Sequence, residues 1–189
     1  AVEAARQALR DLGFLRAREA GGEDLSEDGK IAARLDLEPW SARMLLRSAD
    51  LECTGRAAVL AALLEETCVL WKAEHAEFFS RRGDPFSLLG LWDAYQREPQ
   101  ASRKRWCEDR GLCPYELALV HRTAMRAQQV LAQSHRPGRG EGSDEAVARA
   151  FAHGYFHFFA VHHDMRFPRS GYSVLTPMRC LGTNCSTAG

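Results

Sequence analysis

The chain has 189 residues, of which 46% are hydrophobic, and its formal net charge is +0. This length can hold one domain or two small ones, and the hydrophobic share is too high for a disordered chain. Because no stretch of about 18 consecutive apolar residues occurs and no secretory leader is recognisable, we expect neither a membrane span nor a signal peptide. The sequence starts without Met and inside a helical pattern, which favours a piece of a longer chain.

Charge is distributed unevenly along the chain. Residues 1–100 contain 13 basic and 18 acidic side chains, whereas residues 101–189 contain 12 and 7. The basic second half could face a polyanion, although a solvated surface with a chance asymmetry explains the charge equally well. The six cysteines form no Cys-x-x-Cys motif, and we expect the four in helix-like sequence to stay reduced and to pack as small apolar side chains: Cys53, Cys68, Cys107 and Cys113.

The pattern at the start of the chain is typical of a winged-helix unit with a small wing. Its expected elements are a helix over 2–12, a short strand at 14–15, a loop over 19–24 and helices over 26–35 and 39–48. Ser26 is the natural N-cap of the second helix, although Gly29 stands where a capping box has Glu. Pro39 suits the first turn of the third helix, whose Arg43 and Arg47 share a face away from the apolar side chains.

The middle of the chain predicts a helical bundle. Its expected helices span residues 54–70, 71–80, 85–98, 102–109 and 114–133. Asp84 is expected to cap the helix that begins at Pro85. A polar, glycine-rich linker follows at 135–143, and after it we expect a helix over 144–161 and strands at 172–175 and 178–181.

Several short segments follow one another in a characteristic order: Leu12-Gly13-Phe14-Leu15, Leu25-Ser26-Glu27-Asp28-Gly29-Lys30, Leu35-Asp36-Leu37-Glu38-Pro39, Gly83-Asp84, Leu88-Leu89-Gly90-Leu91-Trp92-Asp93-Ala94-Tyr95, Trp106-Cys107-Glu108 and Gly154-Tyr155-Phe156. In this order they resemble the helicase-associated region that follows the two motor domains of DEAH-box ATP-dependent RNA helicases of the splicing and ribosome-assembly type. The resemblance covers nearly the whole chain. It implies a mainly α fold, with a winged helix at 1–48, a helical bundle called the ratchet at 49–134, a linker at 135–143 and a partial OB-fold at 144–189.

The resemblance implies an accessory function in RNA unwinding, without catalysis by this chain. The bundle would grip single-stranded RNA while helicase motor domains in cis hydrolyse ATP, during pre-mRNA splicing or ribosome biogenesis in the nucleus, with the cytoplasm as the alternative location. No cofactor is expected here, because ATP and Mg belong to the motor domains and the sequence has no Walker A loop: Gly29-Lys30 is followed by Ile31. A glycine-patch protein is the activating partner that the OB-fold implies.

Three departures from the family pattern affect this interpretation. The stretch between Leu64 and Gly83 is shorter than in the family, and Pro85 stands where the family usually has His. Only about two of the five strands of an OB-fold are recognisable, so this chain alone cannot close the barrel.

Seven basic residues are the candidates for contact with RNA phosphates: Arg81, Arg82, Arg103, Lys104, Arg105, Arg122 and Arg126. Arg81 and Arg82 precede a helix N-terminus, which could itself hold a phosphate. Arg126 resembles the arginine of the family's Val-Arg-x-Gln-Leu segment. The alternative for each is an ordinary solvated or salt-bridged surface side chain.

For the aromatic, histidine and paired glutamate residues, we expect structural positions and no binding site. Trp92, Tyr95 and Trp106 could stack on bases, but core packing explains their spacing better. The histidines at 153, 157, 162 and 163, with Cys180 and Cys185 downstream, are too scattered for a zinc site, and no metal is expected. The Glu65-Glu66 pair is expected to lie on a solvated helix face.

Two other functions stay open. The chain could be a motor-less protein-interaction module derived from the same family, which the unclosed barrel and the shortened loop favour. It could also be a winged-helix DNA-binding regulator that reads DNA with the helix over 26–35. That helix offers only Lys30 and Arg34 as basic residues, which is thin support for the second alternative.

Overall fold

The computed structural model describes residues 2–19, 21–67, 73–134, 140–158, 160–162 and 172–174. Its elements are α1 (Val2–Asp11), β1 (Leu15–Ala17), β2 (Glu23–Leu25), α2 (Glu27–Leu35), α3 (Pro39–Asp50), α4 (Thr54–Glu66), α5 (Asp84–Arg97), α6 (Arg103–Glu108), α7 (Pro114–Gln133), α8 (Asp144–Tyr155), β3 (Ala160–His162) and β4 (Tyr172–Val174), with 3-10 helices at Ala73–Phe78 and Phe156–Phe158. The predicted mainly α fold is confirmed. The chain divides into two compact units, Ala1–Gly154 and Tyr155–Gly189. No helix in the described ranges is long and apolar enough to cross a membrane.

A short antiparallel hairpin follows α1. α1 ends at Asp11, one residue before the predicted end, and the predicted stop residue Gly13 has a φ of 74°, in the left-handed region that favours glycine. β1 pairs with β2, with Leu15 opposite Leu25. The predicted loop over 19–24 is wrong at its end, because Glu23 and Asp24 belong to β2. Sequence reasoning missed this strand because its charged side chains are held by ion pairs, such as the one between Glu23 and Arg6 of α1 at 2.7 Å.

Ser26 caps α2 as predicted. Its Oγ accepts a hydrogen bond from the Gly29 backbone N–H at 2.9 Å and donates one to the Gly13 carbonyl oxygen at 2.7 Å. The absence of Glu at the capping-box position has a steric reason: a Cβ on Gly29 would lie 2.2 Å from the Phe14 carbonyl oxygen. Gly29 therefore allows α2 to pack directly against the start of the hairpin.

α3 begins at Pro39, as predicted, and its N-terminus is capped by a side chain from another helix. The Glu65 carboxylate of α4 accepts hydrogen bonds from the Ser41 hydroxyl at 2.7 Å and from the Glu38 backbone N–H at 3.2 Å. A carboxylate at this end also suits the helix dipole. The neighbouring Glu66 accepts from the Thr123 hydroxyl of α7 at 2.6 Å. The expectation of a solvated Glu65-Glu66 face is therefore wrong.

The core of the first unit is built around α4. This helix packs most extensively against α7 and also contacts α3 and α5. Its side chains are fully buried at several positions around the helix, including Ala57, Leu60 and Leu63. Burying one leucine side chain of this kind contributes about 1.5–3 kcal/mol. The small residues among them let the neighbouring helices approach closely.

An aromatic cluster fills the space beside α5 and α6. Trp92, Tyr95 and Trp106 are buried, which confirms core packing. The ring centroids of Trp92 and Tyr95 lie 5.5 Å apart, and those of Tyr95 and Trp106 lie 6.1 Å apart. Phe78 joins the cluster at 6.1 Å from Trp106. These separations are in the range of favourable aromatic pairs.

Several predicted boundaries differ from the structure. Gly83, with φ of 99°, occupies the N-cap position of α5, so Asp84 does not cap it but lies in its first turn. α4 ends at Glu66, and residues 68–72 lie outside the described ranges. The predicted helix over 144–161 ends at Tyr155, because Ala160–His162 forms a strand that pairs antiparallel with Tyr172–Val174. The predicted strand at 178–181 lies outside the described ranges.

Candidate nucleic-acid interface

The α7 helix presents one face to the core and the opposite face to solvent. Leu117, Val120, Ala124 and Ala127 are buried, at the spacing that the sequence predicted. The exposed side carries two large apolar side chains, Tyr115 with 67% of its surface exposed and Met125 with 53%. Arg122 and Arg126 lie on this exposed side as well. α7 therefore carries a mixed apolar and basic stripe, which we call the α7 surface: Tyr115, Arg122, Met125 and Arg126.

Arg126 is tied to the neighbouring helix α2. Its Nη1 lies 3.0 Å from Oδ2 of Asp36, the C-cap residue of α2. Both side chains are more than half exposed, so the ion pair contributes little to stability and is screened by salt. Arg34, near the end of α2, donates to the Gln133 side-chain oxygen of α7 at 2.7 Å. α2 thus adds a further arginine near the C-terminal end of α7.

Arg81 and Arg82 lie in the turn before α5, and both are exposed. Arg82 Nη1 lies 2.9 Å from Asp144 Oδ2 at the start of α8, and its guanidinium lies 5.7 Å from the Phe86 ring centre. Asp84 places a negative charge in the first turn of α5. That carboxylate competes with a phosphate for this helix N-terminus.

The three basic residues at the start of α6 have two different environments. Arg103 is half-buried: it donates to the backbone carbonyls of Glu98 and Gln96, each at 3.1 Å, and lies 4.9 Å from the Tyr95 ring centre. It therefore holds the C-terminal end of α5. Lys104 and Arg105 are 80% and 86% exposed, with acidic residues one helical turn away at 3.9 Å and 3.8 Å. Such exposed pairs leave both cations accessible to a ligand.

The seven predicted residues form three separate groups by their interactions. Within these groups, Arg82 is connected to α8, Arg103 to the end of α5, and Arg126 to α2. Within the third group, Arg122 and Arg126 are four residues apart on one exposed helix face, so they are about 6 Å apart along the axis. This pair shares its helix face with the exposed apolar side chains of Tyr115 and Met125.

A polar cleft between α2, α3 and α8 was not predicted. It has a volume of about 120 Å³ and is lined by Asp28, Arg43, Leu46, Arg47, Asp50 and His153. The sequence placed Arg43 and Arg47 on one face of α3, which the structure bears out. The sequence contained no signal that brings His153 to them, because that position depends on how α8 crosses α3.

The cysteines in the described ranges are free, and their surroundings differ. Cys53 and Cys107 are buried, as expected for small apolar side chains, whereas Cys113 is exposed, contrary to that expectation, because it lies at the start of α7. Burial raises the pKa of the Cys107 thiol to about 11. Cys68 lies outside the described residues. Where side chains are described, no three His, Cys, Asp or Glu residues are grouped to hold a metal ion.

No model of a known protein family matches the chain. Over 174 aligned positions it is 28% identical to the human ATP-dependent RNA helicase homolog DQX1, covering 82% of this chain and 23% of that protein. It is 26% identical, with the same coverage, to the ATP-dependent RNA helicase DHX32 of Xenopus laevis, and 31% identical over 124 positions to the mouse DHX32 protein.

This chain is similar to ATP-dependent RNA helicases. The predicted resemblance is therefore confirmed at the level of RNA helicases over about four fifths of the chain. The chain spans less than a quarter of the length of these curated relatives.

Proposed function

We propose that this chain is the C-terminal accessory region of a DEAH-box ATP-dependent RNA helicase and that it holds single-stranded RNA. ATP hydrolysis would take place in motor domains in cis, which would also bind ATP and Mg. The observation that carries the proposal is the similarity to RNA helicases over 82% of the chain. The described residues contribute no phosphate-cradling loop of their own, since Gly29-Lys30 lies within the first turn of α2.

The order of the elements supports separate functions for the winged helix and the bundle, as this proposal requires. A helix, a small hairpin and two further helices begin the chain, in the order of a winged-helix unit, and α4 to α7 would supply the ratchet bundle. The antiparallel pair β3–β4 would be the first part of an OB-fold. In this proposal the winged helix anchors the bundle to the motor, and the bundle closes over the RNA strand.

The α7 surface is the part of the bundle that we assign to the RNA. Arg122 and Arg126 would neutralise successive phosphates, while Tyr115 and Met125 offer exposed apolar area to the bases. Lys104 and Arg105, which are exposed on α6, and Arg81 and Arg82 would contribute further electrostatic attraction. Arg103 would act mainly through the position of α6, since its guanidinium is occupied by the end of α5.

The wider setting follows from the same proposal. The region would act in remodelling of RNA–protein complexes in the nucleus, during pre-mRNA splicing or ribosome biogenesis; the name of DHX32 also refers to pre-mRNA splicing. A glycine-patch activator protein would be its regulatory partner.

Binding of a fluorescently labelled single-stranded oligoribonucleotide, followed by anisotropy, tests the proposal. The double variant R122Q/R126Q should bind at least about tenfold more weakly than the wild type, since two phosphate contacts are lost. The control R16Q/R97Q removes the same charge from two exposed arginines on β1 and α5, and it should bind as the wild type does. Equal affinities of the two double variants would contradict the assignment to α7.

A motor-less interaction module is the second candidate. It is favoured by the internal partners of several predicted RNA-binding side chains, such as Asp144 for Arg82 and Asp36 for Arg126. If the full 189-residue chain failed to bind single-stranded RNA even at low salt, this candidate would replace the first. The DNA-binding alternative has weak support, because Lys30 pairs with Glu27 and Arg34 donates to Gln133. Duplex DNA that competed as well as the RNA strand would support it.

A further inference from the structure

The polar cleft between α2, α3 and α8 is lined by two arginines, two carboxylates and a histidine. Arg43 Nη1 donates to Asp28 Oδ2 at 2.9 Å, and Arg47 Nη1 donates to Asp50 Oδ2 at 2.8 Å. His153 lies at the wall of the same cleft, where both carboxylates are already paired with an arginine and Asp50 also acts on the imidazole. The charge of Arg149, one helical turn before His153 on α8, also acts on that imidazole. The neighbourhood therefore has more donors than acceptors.

One donor in this cleft is already removed from water. The Nε–H of Arg47 is buried, and among the described residues it has no hydrogen-bond acceptor. A buried donor without a partner is costly, and native structures usually supply one through protein, water or a ligand. The side chain of Arg47 as a whole stays about one third exposed. An incoming group can therefore reach its outer part directly, and it reaches the buried Nε when the ion pair with Asp50 opens and the guanidinium turns.

Two walls of the cleft approach each other closely at Gly154 of α8. Gly154 of α8 lies so close to α3 that a Cβ would be 2.3 Å from the Trp40 carbonyl oxygen and 2.8 Å from the Met44 Cβ. Val147 and Ala150 of α8 are buried as well. This packing holds His153 beside the arginines of α3, so the donors are arranged before any ligand arrives.

We propose that this cleft is a binding site for a phosphate-class tetrahedral oxyanion. The oxyanion would accept from Arg47 Nε, from the guanidinium of Arg43 and from a protonated His153, and a guanidinium fork suits such oxygens. The cleft volume of about 120 Å³ is well above the about 10–15 Å³ that one water molecule requires, so it has room for one such group. The exposed pair between Arg47 and Asp50 is weak enough to open for it.

The site is separate from the α7 surface, and the proposal does not rest on the RNA-holding function. The oxyanion could be a free phosphate or a phosphodiester of a nucleic acid strand, since both present the same oxygens. The charged groups that face His153 are Asp28 on α2, Arg43, Arg47 and Asp50 on α3, and Arg149 on its own helix. Burial, together with these arginines, lowers the pKa of His153 below its ordinary value of 6.5.

Sulfate titration of the full 189-residue chain, followed by NMR, tests the site. Sulfate keeps its charge between pH 5 and 8, so the protonation of His153 can be followed without interference from the ligand. We expect saturable shifts of the α3 backbone amides and a rise in the pKa of His153, relative to chloride at the same ionic strength. R47Q should weaken sulfate binding at least about tenfold, because it removes the buried donor and one charge.

The control R97Q removes the same charge from an exposed side chain of α5 and should leave sulfate binding unchanged. If R47Q does not fold, H153Q provides the test on the other wall of the cleft and should also weaken binding. Equal sulfate affinity in the wild type and in both cleft variants, or an unchanged His153 pKa, would overturn the proposal.

A second titration with an unphosphorylated oligoribonucleotide distinguishes the two sources of the oxyanion. Shifts at His153 and α3 that disappear in R47Q would identify a phosphodiester as the ligand. Their absence, with sulfate binding intact, would identify a small free oxyanion. R122Q/R126Q should retain sulfate binding in either case, so failure of the RNA proposal and failure of this one are distinguishable.

Discussion

The substitution G154A tests how α8 is held against α3. Gly154 is buried in α8, and the atoms that a Cβ would meet are mostly backbone: the Trp40 carbonyl oxygen at 2.3 Å and the Met44 amide nitrogen at 2.9 Å. Neither can rotate away as a flexible side chain would. Because ordinary contacts of a Cβ begin near 3.4 Å, the two helices would have to separate by about 1 Å.

The expected cost follows from that separation. Overpacking of a close helix contact destabilises a fold by about 1–3 kcal/mol, and the backbone clash at 2.3 Å favours the upper end. After subtracting the about 1 kcal/mol that alanine gains over glycine in helix propensity, the net loss is about 2 kcal/mol. For a chain of this size, a net loss of about 2 kcal/mol should lower the melting temperature by roughly 4–8 °C. The substitution should also weaken sulfate binding in the cleft, because His153 moves with α8.

A second helical glycine provides the matched control. Gly90 of α5 is also in a helix, but the nearest atom to its Cβ position is the Phe78 carbonyl oxygen at 3.6 Å, an ordinary contact. G90A should therefore leave the melting temperature unchanged or raise it slightly. Thermal denaturation followed by circular dichroism measures both variants. An unchanged melting temperature for G154A, or an equal loss in G90A, would refute the close packing of α8 on α3.

Three further predictions concern a helix cap, cysteine reactivity and pH. E65A should reduce the free energy of unfolding by about 1 kcal/mol in urea denaturation, since α3 loses its N-terminal acceptor; a loss within error of zero would contradict the cap. Iodoacetamide should label Cys113 well before Cys107 at pH 8, as read by peptide mass spectrometry, because Cys107 is buried with a raised pKa; equal labelling rates would count against that burial. The hydrogen bond from Arg10 to Glu23 lowers the pKa of that carboxyl below 4.5. Its stabilising contribution is therefore present above pH 4.5 and is lost as the pH falls through the lowered pKa, so the stability difference between wild type and E23Q should shrink in acid; a difference independent of pH would exclude this ion pair.

Local signals in the sequence predicted much of the helical framework. Ser26 and Pro39 mark helix starts through hydrogen bonding and a fixed φ, which depend on few neighbours, and both were placed correctly. Burial of Trp92 and Tyr95 followed from helical spacing. Gly13 ended α1 because its left-handed conformation is a local requirement.

The wrong predictions concern positions whose structure depends on residues that are distant in the sequence. Glu23 belongs to a strand because α1 supplies arginines for it, which no local pattern contains. Glu65 caps a helix that begins 26 residues earlier, so its function depends on the packing of α4 against α3. The polar cleft depends in the same way on the crossing of α8 over α3. For the candidate interface, the sequence identified the basic side chains but not that Arg103 would be bound to the end of α5.

The dependence of RNA affinity on salt tests the central claim most directly. For single-stranded nucleic acid, each phosphate contact contributes about 0.7 to the slope of the logarithm of affinity against the logarithm of salt concentration. The slope for R122Q/R126Q should therefore be smaller than that of the wild type by about 1.4, while R16Q/R97Q keeps the wild-type slope. Identical slopes for all three proteins, or binding that does not depend on salt, would contradict an RNA strand held on α7.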